Sequence, residues 1–112
     1  MMKLSEAIRE GAKKRPMITG SYFEYDNYEC QGSCALGAAY EALVGEPVAQ
    51  YQLLNDEQVL NTIGTYVGVD MYQDFSSSFL KDDFLWRVIA DLNDERDWTR
   101  EQIADWLASK GL

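Results

Sequence analysis

Residues 92–107, with the sequence LNDERDWTREQIADWL, contain the signals that decide the fold: a helix end, a short loop and a new helix start. Thr99 has the position and side chain of an N-cap, and Gln102, three residues later, can return a hydrogen bond to the cap backbone. Trp98 and Ile103 flank this cap as the two members of a hydrophobic staple. From Ile103 onward, apolar side chains recur at helical spacing, so one face of this helix must pack against the rest of the chain.

The same spacing recurs through most of the sequence. It predicts helices over residues 4–15, 33–44, 47–54, 55–68, 82–93 and 99–110. The predicted fold class is therefore mainly α. We expect a compact single-domain bundle of five or six helices over residues 1–112, with a short β-ribbon or a long aromatic loop near residues 17–32.

Capping residues set the predicted ends of these helices. Ser5, Ser33 and Asn55 are the expected N-caps of three helices, and Asn55 has Gln58 three residues later to complete a capping box. Asp82 and Asp83 are expected in the first turn of another helix, and Asn93 is expected to end it in a left-handed turn. Because the segment 33–44 is rich in alanine, we expect it to be the central helix, packed by the helices at 85–92 and 99–108.

Length and composition favour one soluble domain. A chain of 112 residues with 46% hydrophobic content can bury roughly two thirds of its unfolded surface. Two cysteines are too few for a disulfide framework, the N-terminus has no apolar signal core, and no run approaches the ~18 apolar residues that span a bilayer. We therefore expect a cytoplasmic protein with no membrane partner.

The charge is negative and uneven. Residues 1–15 contain five Lys and Arg against two Glu, whereas residues 16–112 contain five against seventeen Asp and Glu, and the net charge is −9. Such a surface repels phosphate backbones, so direct nucleic-acid binding is not expected, and a protein with a basic surface is the better matched partner. The acidic surface has a second interpretation, in which it only keeps the protein soluble.

The absence of histidine excludes several kinds of enzyme. Ser-His-Asp and Cys-His hydrolysis, imidazole metal sites and histidine proton shuttles all need this residue. Two thiols without imidazole also cannot complete the common zinc shells, and no cofactor is expected. The sequence favours a protein without catalytic activity and shows no catalytic motif.

The aromatic segment near residues 17–32 is the predicted partner-binding surface. Its candidate contact residues are Tyr22, Phe23, Tyr25, Asp26 and Tyr28. A loop of this length in a compact domain is often functional. The competing interpretation is that these aromatic side chains fold down as a lid on the core, because they bury large areas.

Two further groups of side chains have weaker functional interpretations. Alternate positions beginning at Asp91 imitate the order of an EF-hand calcium loop, which makes Asp91, Asn93, Glu95 and Asp97 the alternative metal ligands. An EF-hand loop also requires a glycine at the position of Arg96 and a glutamate at the position of Gln102. An ordinary polar loop between two helices therefore explains these residues better.

Cys34 is the candidate reactive thiol. It lies at the start of the predicted central helix, where the helix dipole favours a thiolate. A buried or capping structural cysteine is the competing interpretation, since there is no histidine base and no Cys-x-x-Cys spacing. Cys30 lies four residues earlier, and a disulfide between the two requires Cys30 to lie outside the helix.

Three stretches carry a family resemblance: LSEAIREGA at 4–12, CALGAA at 34–39, and LND at 92–94 followed by WTREQIADWL at 98–107. They resemble a set of small uncharacterised bacterial and phage-borne proteins. Members of that set look as if they carry a Cys-x-x-Cys pair and a histidine before LND, whereas here Asp91 precedes LND and residues 46–82 contain no cysteine. The resemblance implies a shared helical scaffold and a mobile-element origin. No metal site is carried over from it, and it supplies no information about activity.

These observations favour a non-enzymatic, acidic protein-binding or regulatory module, with a phage or mobile-element connection. Two alternatives stay open: a divalent-cation or small-molecule binder that uses carboxylate chemistry, and an inhibitor of a host-defence protein that mimics nucleic acid. The sequence contains no signal for a particular oligomeric state.

Overall fold

The computed structural model describes residues 2–48, 54–75 and 83–112, which form five helices and two small antiparallel strand pairs. The elements are α1 (Leu4–Ala12), β1 (Phe23–Asp26), β2 (Glu29–Ser33), α2 (Ala35–Val44), α3 (Asp56–Val67), β3 (Asp74–Phe75), β4 (Asp83–Phe84), α4 (Leu85–Asp94) and α5 (Arg100–Ser109). The predicted mainly helical class is confirmed in this part of the chain, whereas the bundle arrangement stays a prediction. The radius of gyration is 12.9 Å, close to the ~13 Å of a folded chain of this length. None of the described helices is long and apolar enough to cross a membrane.

Two helices begin with the capping boxes that the sequence predicts. The Thr99 hydroxyl accepts a hydrogen bond from the Gln102 N–H at 3.1 Å, and the Gln102 side chain accepts one from the Thr99 N–H at 2.8 Å. Asn55 and Gln58 make the same reciprocal pair at the start of α3, with both distances at 2.9 Å. These caps satisfy N–H groups that otherwise lack partners in a first helical turn.

Two predicted N-caps are wrong because other groups take their places. Helix α1 begins after Lys3, which is its N-cap residue, so Ser5 lies inside the first turn. The Ser5 side chain is buried there, and its N–H donates to the Leu112 carbonyl. Cys34, and not Ser33, caps α2. The Ser33 hydroxyl instead accepts a hydrogen bond from Arg100 at 3.1 Å, a contact across 67 residues that local patterns do not predict.

The predicted ends of α4 also differ from the structure. Asp83 belongs to β4, where it pairs with Phe75 of β3, and the helix starts at Leu85. Asn93 lies buried inside the helix and does not end it, because its amide binds backbone groups of other segments. Asp82 and most of the predicted helix at 47–54 lie outside the described residues.

Helix α2 packs most extensively against α1. A Cβ built on Gly11 would lie 1.8 Å from the Ala38 carbonyl oxygen, so only glycine permits this close crossing. The prediction that α4 packs on α2 is right. The prediction that α5 packs on α2 is wrong, because α5 packs mainly on α1 and α4. The interior contains the fully buried side chains of Leu4, Ile8, Leu60, Ile63, Met71, Leu85, Ile89, Leu92, Ile103 and Leu107.

Two arginines point inward and form what we call the arginine junction, which consists of Arg15, Glu41, Arg100 and the carbonyl oxygens that they bind. Arg15 donates to both carboxylate oxygens of Glu41, at 2.8 and 2.7 Å, and Glu41 is only 3% exposed. Arg100, which is 6% exposed, donates to the carbonyl oxygens of Ala12, Arg15 and Ser33. Because these two cations bind groups inside the protein, the exterior of the protein is more acidic than the net charge indicates.

Candidate functional site

The aromatic segment forms an antiparallel hairpin of β1 and β2, which confirms the predicted β-ribbon. The hairpin sorts its aromatic side chains by environment. Phe23 is buried and meets Tyr40 of α2 edge to face, with 6.3 Å between ring centroids. Tyr25 is half-buried, and burial raises its pKa to about 12. The burial of these two rings favours the lid interpretation for them, while their predicted contact with a partner stays a prediction.

The tip of the hairpin is exposed and acidic. Asp26 pairs with Glu29, so Asn27 and Tyr28 are the two central residues of the turn. Both have positive φ, 51° and 66°, as in a type I′ turn. Tyr28 is 81% exposed, and the carboxylates of Glu24, Asp26 and Glu29 are exposed around it. We call Glu24, Asp26, Tyr28 and Glu29 the acidic tip.

Tyr22 directly precedes β1 and lines a cleft of about 340 Å³. Its hydroxyl donates to Asp56 at the start of α3, at 3.0 Å, and this contact joins the segment before β1 to α3. Burial, followed by the bond to Asp56, raises the pKa of the Tyr22 phenol. Tyr22 is therefore a wall of the cleft and not part of the acidic tip.

Helix α4 supplies the opposite wall of the cleft. Residues at helical spacing line it: Trp86, Ile89, Ala90, Asn93 and Asp94. Asn93 accepts a hydrogen bond from the Ala35 N–H and donates to the Ile18 carbonyl, both at 3.0 Å, which fixes α4 to the start of α2. Asp94 accepts from the Gly20 N–H at 3.0 Å. Ala35 and Leu36 of α2 line the cleft between the two walls, so it combines an apolar interior with polar edges.

The alternative metal ligands do not converge. Asp91 pairs with Arg96 at 3.0 Å, and Asn93 is occupied by the backbone contacts described above. Glu95 follows the last residue of α4, and Asp97 is an exposed residue with φ of 55°. Among the described residues, no group of three or more Cys, Asp or Glu side chains is placed to hold a metal ion.

Cys34 serves as the N-cap of α2. Its sulfur accepts a hydrogen bond from the Gly37 N–H at 3.4 Å, and desolvation raises the pKa of the thiol to about 11. The helix dipole therefore does not produce a thiolate at neutral pH, which corrects the predicted reason for reactivity and favours a capping role. Cys30 and Cys34 are both free thiols in this structure.

Sequence reasoning missed the cleft because its walls come from separate segments. Tyr22 and Asp56 are 34 residues apart, and Gly20 and Asp94 are 74 apart. One usable signal was present, since Trp86, Ile89, Ala90 and Asn93 share a face of a predicted helix. No protein-family model matches this chain, and no curated protein or solved structure matches it either.

Proposed function

We propose that this protein is a non-enzymatic binding module that engages the basic surface of another protein through the acidic tip. The observation that carries this proposal is Tyr28, a large aromatic side chain that is 81% exposed and held in a left-handed backbone conformation. Glycine and asparagine fit such a position without strain, whereas a bulky residue there costs about 1–2 kcal/mol. A binding role accounts for an aromatic residue at a position whose backbone conformation is unfavourable for it.

The chemistry around Tyr28 fits a cationic partner. Tyrosine is enriched in the energetically dominant positions of protein interfaces, and its ring attracts Lys and Arg side chains. Glu24, Asp26 and Glu29 add three exposed carboxylates to the same hairpin. The overall net charge of −9 would steer a basic protein toward this surface and speed its association.

A pull-down with matched tyrosine variants tests the proposal. The immobilised protein, Tyr28→Gly and Tyr66→Ser are compared on a lysate of cells that encode the protein. Tyr66 is the control because it is a 50% exposed tyrosine on α3 that does not belong to the acidic tip. We expect basic proteins to be retained by the unmodified protein and by Tyr66→Ser and lost with Tyr28→Gly. They should also be released at about 1 M salt, where the Debye length is about 3 Å. Equal retention by Tyr28→Gly would contradict the proposal.

A further inference from the structure

We infer that the cleft between Tyr22 and α4 receives the side chain of an arginine from the basic partner. This inference rests on the proposed function and names a second point of contact for it. The cleft volume, about 340 Å³, lies at the lower end of the roughly 300–1,000 Å³ that is typical of ligand sites. It therefore suits one long side chain better than a large cofactor.

The charge of the cleft selects a cation. Asp56 and Asp94 both line it, and no lysine or arginine is among its described lining residues. The Oδ1 atom of Asp56 accepts from Tyr22, and that of Asp94 accepts from the Gly20 N–H and the Asn93 side chain, while their Oδ2 atoms accept none from the described residues. Asp94 also lies in the last turn of α4, where the helix dipole adds negative potential.

Two N–H groups at the N-terminus of α2, which lies at the cleft, are already bonded within the protein. The Ala35 N–H donates to Asn93 at 3.0 Å, and the Gly37 N–H donates to Cys34. These bonds occupy the N–H groups that would otherwise bind a phosphate or carboxylate. The two aspartates repel an anion in addition.

Arginine fits the remaining features better than lysine. Its guanidinium is planar, less strongly hydrated than an ammonium, and presents several N–H donors to carboxylate oxygens. Its aliphatic stem can pack on Tyr22 and Ala90, which line the cleft and are partly exposed. Trp86 also lines the cleft, and its ring already contacts one guanidinium, that of Arg87, at 5.7 Å. Such a ring is a suitable surface for a second cation.

Nuclear magnetic resonance with a defined probe tests this inference. N-acetyl-arginine methylamide is titrated into the labelled protein, and N-acetyl-citrulline methylamide serves as the uncharged probe of the same shape. We expect millimolar binding of the arginine probe, seen as shifts of the Trp86 indole and Asn93 amide signals. The Trp98 and Trp106 indoles, which pack on each other at 6.5 Å outside the cleft, should not shift.

Two variants separate the charge of the cleft from general acidity. Asp56→Asn with Asp94→Asn should weaken the arginine probe about tenfold, whereas the exposed pair Glu95→Gln with Glu101→Gln, which removes the same charge, should change it less than about twofold. Ala90→Met keeps both carboxylates and fills the cleft, so it should abolish the shifts even if the aspartate variant fails to fold. Equal shifts with citrulline, no shifts with arginine, or tighter binding of free 1,4-diaminobutane would overturn the inference.

The hairpin variant keeps the two proposals distinguishable. Tyr28→Gly should leave the arginine titration unchanged, because the acidic tip does not line the cleft. If Tyr28→Gly loses partner capture and the unmodified protein does not bind the arginine probe, the proposed function stands and the inference about the cleft is rejected. If the arginine probe binds but partner capture does not depend on Tyr28, the proposal for the acidic tip is rejected.

Discussion

Cys34 shows how a single side chain is committed to the interior. Most N-caps use oxygen, but here a thiol accepts the bond from Gly37, and its burial makes the charged form unfavourable. The position also lies beside the hairpin, since the Cys34 N–H donates to the Tyr22 carbonyl at 3.1 Å. The same residue therefore joins the start of α2 to the wall of the cleft.

This burial predicts a loss of stability at alkaline pH. The pKa of Cys34 is about 11 in the folded protein and 9.0 ordinarily, so the unfolded chain loses its proton first as the pH rises. The stabilisation is complete below about pH 9 and is lost progressively between about pH 9 and 11, by on the order of 3 kcal/mol.

Cys34→Ser is the matched comparison, because serine keeps an N-cap acceptor and does not titrate in this range. Urea denaturation of both proteins at several pH values measures the effect. The free energy of unfolding should fall more steeply with pH for the unmodified protein than for Cys34→Ser. Parallel curves for the two proteins would contradict the assignment of Cys34.

At the scale of elements, the helix starts with local caps were predictable and those with distant partners were not. Thr99 and Asn55 complete their capping boxes within three residues, so the pattern alone determines them. The start of α4 depends on the pairing of Asp83 with Phe75, and no local pattern contains that contact. The hairpin was one of two alternatives that the aromatic residues indicated, and the sorting of its rings into buried and exposed ones depends on α2.

The hairpin turn gives a prediction about stability. Tyr28 has φ of 66°, and its side chain is almost entirely exposed, so glycine there would relieve strain and lose few contacts. We expect Tyr28→Gly to raise the free energy of unfolding by about 1 kcal/mol, measured by urea denaturation. Tyr66→Ser, at an exposed helical position, should change it by less than about 0.5 kcal/mol. A destabilised Tyr28→Gly would show that the tyrosine supports the fold.

Across the whole molecule, the arginine junction connects α1, β2, α2 and α5. Arg15 also donates to the Cys30 carbonyl of β2 at 2.6 Å, in addition to its ion pair with Glu41. This junction and the cleft could not be predicted from sequence, because their contacts join residues 15 to 88 positions apart. Arg15 and Glu41 have no pattern that distinguishes them from solvated charges, and only the fold brings them together.

The arginine junction predicts that loss of Glu41 alone costs more unfolding free energy than replacement of both charges of the Arg15–Glu41 pair. Glu41→Ala leaves Arg15 without its carboxylate in a largely buried setting and should cost about 3 kcal/mol of unfolding free energy. Replacing both charges, as Arg15→Met with Glu41→Leu, should recover most of that loss.

The exposed pair of Lys13 and Glu10, at 2.9 Å, is the control for this cycle. Glu10→Ala should cost less than about 1 kcal/mol, because solvent screens an exposed ion pair. Thermal and urea denaturation of the three variants and the unmodified protein supply the comparison. A cost for Glu41→Ala no larger than that for Glu10→Ala would show that the junction does not hold the elements together.

Arg100 also sets an order of events during synthesis. The carbonyl oxygens of Ala12, Arg15 and Ser33 are synthesised 67 to 88 residues before the guanidinium that binds them. At a translation rate of about 5–20 residues per second, they wait roughly 3–18 s for it. During that interval the nascent first helix and hairpin lack the guanidinium that joins them in the finished protein.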